Sequence, residues 1–172
     1  MDRACRCHRD RRNQQARCVS TVPVMTSTDP FDLERFVTAQ EPVFPTVFAE
    51  LKAGRKRTHW MWFVFPQLRG LAHSSMATFY GTTSLDEARA YLAHPLLGAR
   101  LELFTRTVLE LQNGSLHEIF GSPDDMKFQS CMTLFASAAA DPESVFYRAL
   151  DRLCGGVLDP QTLRLLETGG RF

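Results

Sequence analysis

The sequence predicts an all-α fold, a compact single-domain bundle of about seven helices. Pairs of Asp-Pro or Ser-Pro, which are typical of helix starts, occur at residues 29–30, 122–123, 141–142 and 159–160. Apolar residues recur at helical spacing after these pairs, and no run of residues alternates over the length of a strand. Glycines follow the periodic segments, where they commonly end helices.

In the N-terminal half, proline and glycine mark two helices and a capping box marks a third. Asp29 is expected to cap a first helix that ends near Gln40, and Pro42 to begin a second that ends at Gly54. The sequence Ser-Leu-Asp-Glu at residues 84–87 has the pattern of a capping box, in which the first and fourth side chains bond each other's backbone amides. We therefore predict that a third helix begins there.

Four more helices are predicted in the C-terminal half. The longest carries one apolar stripe that is expected to face the core: Leu97, Leu101, Phe104, Val108 and Leu111. Glu102 and Arg106 are four residues apart on the opposite side of this helix and are expected to pair. The other three begin at the later proline pairs, and their inward-facing residues include Phe128, Cys131, Met132, Phe135, Phe146, Ala149 and Leu150.

Length and composition place the chain among ordinary globular proteins. Its 172 residues suggest one domain, and its 13 Phe predict a core rich in aromatic rings. The most apolar run, Trp60 to Phe65, is far shorter than the roughly 20 residues of a membrane-spanning helix. We therefore expect a cytoplasmic protein that has no membrane partner.

Residues 1–24 differ from the rest of the chain in charge and pattern. They contain six Arg and two Asp, a net charge of +4, whereas the remaining residues have a net charge of −3. Because the segment lacks an apolar pattern, we predict a disordered basic head and a single helical domain over residues 25–172. Met25 is an alternative start of translation. The weakly acidic body argues against a nucleic-acid partner.

Deleting residues 1–24 is expected to leave the melting temperature unchanged within error, because a segment without an apolar face has nothing to bind it to the body. Differential scanning fluorimetry of the full chain and of the chain that starts at Met25 measures this difference. A loss of several degrees in the shorter chain would contradict the prediction.

Four motifs of the body resemble a known family. They are RKRTHWMWFVFPQL at residues 55–68, HPLLG at 94–98, IFGSPDDMK at 119–127 and SCMTLF at 130–135. In this order they are similar to the small bacterial family named domain of unknown function 1810, over about residues 31–166. The family usually has a second serine where this chain has Cys131.

The resemblance implies a compact multihelical fold, a lone domain in the bacterial cytosol and no assigned activity. Members are sometimes labelled calpastatin automatically. Calpastatin inhibits through long disordered repeats, whereas the body of this chain is neither repetitive nor disordered in pattern, so we discount that label.

The segment that contains the aromatic motif (residues 60–65) is the first candidate for a ligand site. Basic groups beside indole rings suit an anionic, planar ligand, because a ring stacks on it while a guanidinium binds its phosphate or carboxylate. The candidate ligand-binding residues of this segment are Arg55, Arg57, Trp60, Trp62 and Gln67. The alternative is that the rings belong to the core and the cations lie at a solvated helix end.

Lys127 and Ser130 complete the predicted ligand-binding set, because residues three apart share one side of a helix. Asp124 also shares that side, and the alternative interpretation is an ordinary Asp124–Lys127 surface pair. His59 and Asp125 are the candidate catalytic acid or base, His59 because neighbouring groups could tune its titration.

The sequence leaves three functions open and predicts neither a metal nor a cofactor. No two histidines have metal-ligand spacing on one helix, and motifs for a catalytic Ser, a redox Cys pair or a glycine-rich phosphate loop are absent. In the head, Cys5, Cys7, His8 and Cys18 fit no closed zinc pattern well. The first hypothesis is a binding domain for a small anionic, nucleotide-derived ligand. The others are a metal-free hydrolase or transferase acting on such a ligand, and an interaction module with an exposed aromatic surface.

Overall fold

A computed structural model describes residues 29–112 and 114–169, so the predictions for residues 1–24 lie outside the described residues. Within the described ranges the fold is all-α, as predicted, and one isolated parallel bridge joins Leu68 to Thr82. The helices are α1 (Glu34–Gln40), α2 (Phe44–Lys52), α3 (Met61–Val64), α4 (Ser75–Tyr80), α5 (Leu85–Ala93), α6 (Leu97–Glu110), α7 (Leu116–Phe120), α8 (Asp124–Ala139), α9 (Val145–Cys154) and α10 (Pro160–Glu167), with a 3-10 turn at Glu41–Val43. None of them is both long and apolar enough to cross a membrane.

Helix α8 forms the centre of the bundle. It packs against α5, α7, α9 and α10, while α6 packs on α2, α5 and α9. Nine of its 16 residues are buried, as expected for a helix that is covered on most sides. The predicted inward-facing residues of α8, Phe128, Cys131, Met132 and Phe135, are all fully buried.

The predicted stripe of α6 faces the core over four of its five residues, whereas Leu111 lies just beyond the helix and is only partly buried. Leu97, Leu101 and Val108 have no exposed surface, and Phe104 is 1% exposed. On the outer face, Arg106 Nη2 lies 3.1 Å from Glu102 Oε2, which confirms the predicted pair.

The core is rich in aromatic rings, and Phe65 lies at its centre. The Phe65 ring centroid is 5.1 Å from that of Phe128, 5.9 Å from that of Phe120 and 6.2 Å from that of Trp60. The contacts with Phe128 and Phe120 are edge-to-face, an arrangement that brings the positive edge of one ring to the negative face of another. The segment after α2 is therefore anchored at the middle of the bundle.

Several of the predicted helix starts are wrong in detail. Residues after Asp29 form a turn in which Asp32 has a φ of 52°, and α1 begins only at Glu34. In α9 the hydroxyl of Ser144, not the carboxylate of Asp141, accepts from the amide of Tyr147. Both aspartates accept a backbone amide two residues ahead, which is the bonding of an Asx turn rather than of a helix cap.

Pro42 lies in the 3-10 turn rather than at the start of α2, and α8 begins at Asp124 without a side-chain cap. The predicted start of α10 is confirmed. Asp159 caps α10, and the ring of Pro160 occupies its first position. At the start of α6, Nδ1 of His94 accepts from the amides of Leu96 and Leu97, at 3.3 Å each. Helices α3, α4 and α7 were not predicted, because each has six residues or fewer and so shows too little periodicity.

Candidate functional site

The loop before the aromatic motif is held by one buried carboxylate. Glu50, in α2, accepts hydrogen bonds from the amide of Arg57 at 2.9 Å, the amide and hydroxyl of Thr58 at 3.2 and 2.9 Å, and the indole N–H of Trp60 at 2.8 Å. Burial raises the pKa of the Glu50 carboxyl, but these four hydrogen bonds outweigh it, so the pKa lies below its ordinary value of 4.5. The charged carboxylate therefore fixes the loop.

The two tryptophans of the motif have different environments. Trp60 is 1% exposed and packs against Phe65 and Phe120, so its assignment as a ligand-stacking residue is wrong and the alternative, a core ring, is correct. Trp62 is only half-buried, and Nζ of Lys127 lies 4.8 Å from its ring centroid. This cation–π contact joins the aromatic motif to α8.

Asp124, the first residue of α8, holds two lysines. Its Oδ1 accepts from Nζ of Lys127 at 2.7 Å, and its Oδ2 lies 2.7 Å from Nζ of Lys56. Burial raises the pKa of the Asp124 carboxyl, but the hydrogen bonds from Lys127 and Lys56 and the charges of both lysines outweigh it, so the pKa lies below its ordinary value of 3.8. The Asp124–Lys127 pair thus exists, and its side chains are only 15% and 17% exposed.

A cleft of about 520 Å³ opens between the segment after the aromatic motif and the N-terminal ends of α8 and α10. We call it the α8–α10 cleft. Its polar lining residues are Gln67, Lys127, Gln129, Ser130, Asp159, Gln161 and Arg164. Gln67, Lys127 and Ser130, which were predicted as ligand-binding residues, are thereby brought together. Trp62 borders an adjoining small pocket that shares Gln67 with the cleft.

Asp159 joins the two helices that form the cleft. Its Oδ2 accepts from the hydroxyl of Ser130 on α8 at 2.8 Å and from the hydroxyl of Thr162 on α10 at 2.6 Å. Its backbone amide donates to the hydroxyl of Thr133, one turn further along α8, at 2.9 Å. The amides of Gln161 and Thr162 also donate to the carboxylate, so the exposed backbone of the α10 N-terminus is already satisfied within the protein.

Comparison with known proteins identifies the family. Residues 30–166 match the family described as "Protein of unknown function (DUF1810)". The chain belongs to the DUF1810 family. The chain is similar to the conserved hypothetical protein Rv1873 from Mycobacterium tuberculosis, whose crystal structure is known. The two sequences are 56% identical, and the match covers 81% of this chain and 99% of that chain, with a TM-score of 0.78. No curated protein matches the chain.

Several predicted site residues of this DUF1810 protein lie outside the cleft. The side chains of Arg55, Arg57 and His59 are exposed on the loop that Glu50 holds, and none of them lines the cavity. Asp125 is also outside the lining, and its Oδ2 lies 3.0 Å from Nδ1 of His117. The structure therefore separates both catalytic candidates from the three ligand-binding candidates in the cleft.

The cysteines of the DUF1810 domain are poorly suited to catalysis. Cys131 and Cys154 are both free. Burial raises the pKa of the Cys131 thiol well above its ordinary value and raises the pKa of Cys154 to about 11, so both remain protonated at neutral pH. Cys131 lies inside the core and is absent from the cleft lining. Among the described residues, no three His, Cys, Asp or Glu side chains are grouped to hold a metal ion.

Arg164, Gln161 and Asp159 were missed as site residues. The helix that begins at Asp159 was predicted. Because residues 161 and 164 share one side of any helix, the sequence could have predicted that these two side chains lie together. Their approach to Ser130 was not visible, because the Ser130–Asp159 hydrogen bond joins residues 29 positions apart.

Proposed function

We propose that this protein binds a small anionic ligand in the α8–α10 cleft, with nucleotide derivatives as the first candidates. The observation that carries the proposal is that Lys127 and Arg164 line one cavity in which, among the described residues, Asp159 is the single carboxylate. The lining residues therefore have a net charge of +1, and both Asp159 oxygens already accept hydrogen bonds. An anion is favoured over a cation in such a cavity.

The two cations differ in how they are held. The Lys127 ammonium is fixed between the Asp124 carboxylate and the Trp62 ring, so it offers a point charge at a defined place. The Arg164 side chain is exposed and can present its planar fork of donors to a phosphate or carboxylate. The amides of Gln67 and Gln161 can supply donors and acceptors to a base or sugar.

The two other hypotheses have less support. A metal-free hydrolase or transferase needs an acid or base within hydrogen-bond reach of its ligand, and His59 and Asp125 are both outside the cleft lining. An interaction module is favoured by Phe79, which is 54% exposed on α4.

We propose a bacterial, cytoplasmic binding domain that uses neither a metal nor a cofactor and has no nucleic-acid partner.

Replacing Lys127 or Arg164 with Gln is expected to weaken binding of the anion about tenfold or more in each case, or about 1.4 kcal/mol. The fold should persist, because Asp124 keeps its pair with Lys56 and Arg164 is exposed. A thermal-shift screen of nucleotides, nucleotide sugars and inorganic phosphate identifies the probe, and isothermal titration calorimetry then measures its affinity for each variant.

Two controls locate the site. Arg57→Ala removes a cation that was predicted to bind ligand but is outside the cleft, and Arg148→Gln removes an exposed arginine of α9. Both should leave the affinity unchanged. The proposal fails if no anion in the screen stabilises the protein, or if Lys127→Gln and Arg164→Gln bind the probe as tightly as the parent protein does.

A further inference from the structure

A second cavity, of about 680 Å³, lies between the start of α1 and helix α4, and we call it the α1–α4 pocket. It is lined by charged and aromatic side chains that play no part in the α8–α10 cleft. These charged and aromatic residues are Phe31, Asp32, Arg35, Arg69, Phe79 and Glu87. Its volume is in the range of about 300–1,000 Å³ that small-molecule pockets usually have.

Arg35 fixes the walls of this pocket. Its guanidinium donates to the backbone oxygens of Phe31, Asp32 and Phe79 and pairs with the Glu87 carboxylate. All four partners line the pocket, and they come from the turn before α1, from α4 and from α5. Because four of its five N–H donors are engaged, Arg35 mainly supports the walls of the pocket.

Glu87 extends the same support. The pair it forms with Arg35 is buried, with side chains 8% and 2% exposed. Its Oε2 accepts from the amide and the hydroxyl of Thr83, at 2.8 and 2.7 Å. The carboxylate therefore does not close the predicted capping box of α5, in which only the Ser84 hydroxyl takes part by accepting from the Glu87 amide. The Glu87 carboxylate thus binds Arg35 and Thr83, which line the pocket, instead of the backbone amide of Ser84.

Arg69 is the cation of the pocket that lacks a strong partner. Its Nε is buried and has no acceptor among the described residues, and its Nη2 lies 3.4 Å from the Gly81 carbonyl oxygen, near the upper limit for a hydrogen bond. Within the described part of the chain Arg69 forms no ion pair, unlike Arg35 beside it. The backbone of Arg69 is fixed, because its amide donates to the Thr82 carbonyl at 2.8 Å. A charged, fixed and under-satisfied guanidinium is suited to receive an anionic group.

The other pocket residues restrict which anion fits. The ring of Phe79 is 54% exposed and is nearly perpendicular to the ring of Tyr80, so it offers apolar surface to a ligand. Asp32 also lines the pocket and would repel a second negative charge. Among the described lining residues, Arg69 is the one cation without an ion pair and Asp32 is a nearby carboxylate, so the pocket favours a monoanion over a phosphate dianion.

We infer that the α1–α4 pocket binds a small aromatic monocarboxylate, whose carboxylate pairs with Arg69 and whose ring packs on Phe79. This site is separate from the α8–α10 cleft and does not depend on the function proposed for that cleft.

The experiment uses benzoate, phenylacetate, 3-phenylpropionate and indole-3-acetate as probes, each beside its neutral amide. Ligand-observed NMR titration of the full chain measures the dissociation constants. At least one acid is expected to bind, and its amide to bind about tenfold more weakly or not at all. Arg69→Gln should weaken binding of that acid about tenfold or more, whereas Arg164→Gln, in the other cleft, should leave it unchanged.

Phe79→Ala provides a second measurement that does not depend on Arg69, and at a ring 54% exposed it should not disturb folding. It should also weaken binding of the acid while leaving the response to the anion of the α8–α10 cleft unchanged. The inference is overturned if no acid binds, if the amides bind as well as the acids, or if neither Arg69→Gln nor Phe79→Ala changes the affinity. Loss of binding in Arg164→Gln with retention in Arg69→Gln would place the acid in the α8–α10 cleft and would equally overturn it.

Discussion

Replacing Leu101 with Ala is expected to lower the free energy of unfolding by about 2–5 kcal/mol. The Leu101 side chain has no exposed surface and lies in the middle of α6, which packs against α2, α5 and α9. Truncation therefore removes buried methyl groups and leaves a cavity that surrounding helices can close only in part. Urea titration, followed by circular dichroism, measures the change.

Leu103→Ala is the matched control, since it removes the same atoms two residues away on the same helix. Leu103 is 39% exposed, so this variant should cost about 1 kcal/mol or less. Equal costs for the two variants would mean that the core-facing side of α6 has been misplaced.

Replacing Glu50 with Ala is expected to cost about 3 kcal/mol of unfolding free energy. The substitution removes the acceptor of four hydrogen bonds and leaves the buried indole N–H of Trp60 without a partner. Glu50→Gln should cost less, because an amide has nearly the same shape and keeps one acceptor oxygen. Chemical denaturation at neutral pH gives both values.

The charge of Glu50 should also make the free energy of unfolding depend on pH. Because its pKa is lowered in the folded protein, the charged carboxylate stabilises the fold fully above the ordinary pKa of 4.5. This contribution is lost as the pH falls below 4.5 and through the lower pKa of the folded state. The stability difference between the parent protein and Glu50→Gln should therefore shrink in that acid range. A difference that stays constant from about pH 6 to about pH 3 would contradict the assignment.

The fold class was predictable because it depends on features repeated along the chain. The α6 stripe alone fixes a helix and its buried side, whereas α8 is buried on most sides. Individual helix starts were less predictable. Asp29, Asp141 and Asp159 each precede a proline, yet Asp159 alone caps a helix, because capping depends on which of several polar side chains reaches the free amides.

The candidate site was predictable only in part, for a physical reason that the two tryptophans illustrate. Trp60 and Trp62 are two residues apart, but Trp60 precedes the short helix α3 and turns into the core while Trp62 reaches Lys127. Four residues of helix give no periodicity from which to assign a buried side. Arg164 lies in the α8–α10 cleft because α10 packs on α8, and the local sequence does not encode that packing.

The Asp159 connection has a kinetic consequence for the α8–α10 cleft. The same carboxylate caps α10 and holds Ser130 of α8, so the two walls separate only if the Ser130–Asp159 hydrogen bond and the bond from the Asp159 amide to Thr133 both break. For the anion proposed as the ligand, walls that are already joined imply that little conformational entropy of the protein is lost on binding. Related ligands should accordingly reach the cleft at similar rates and differ chiefly in how long they stay.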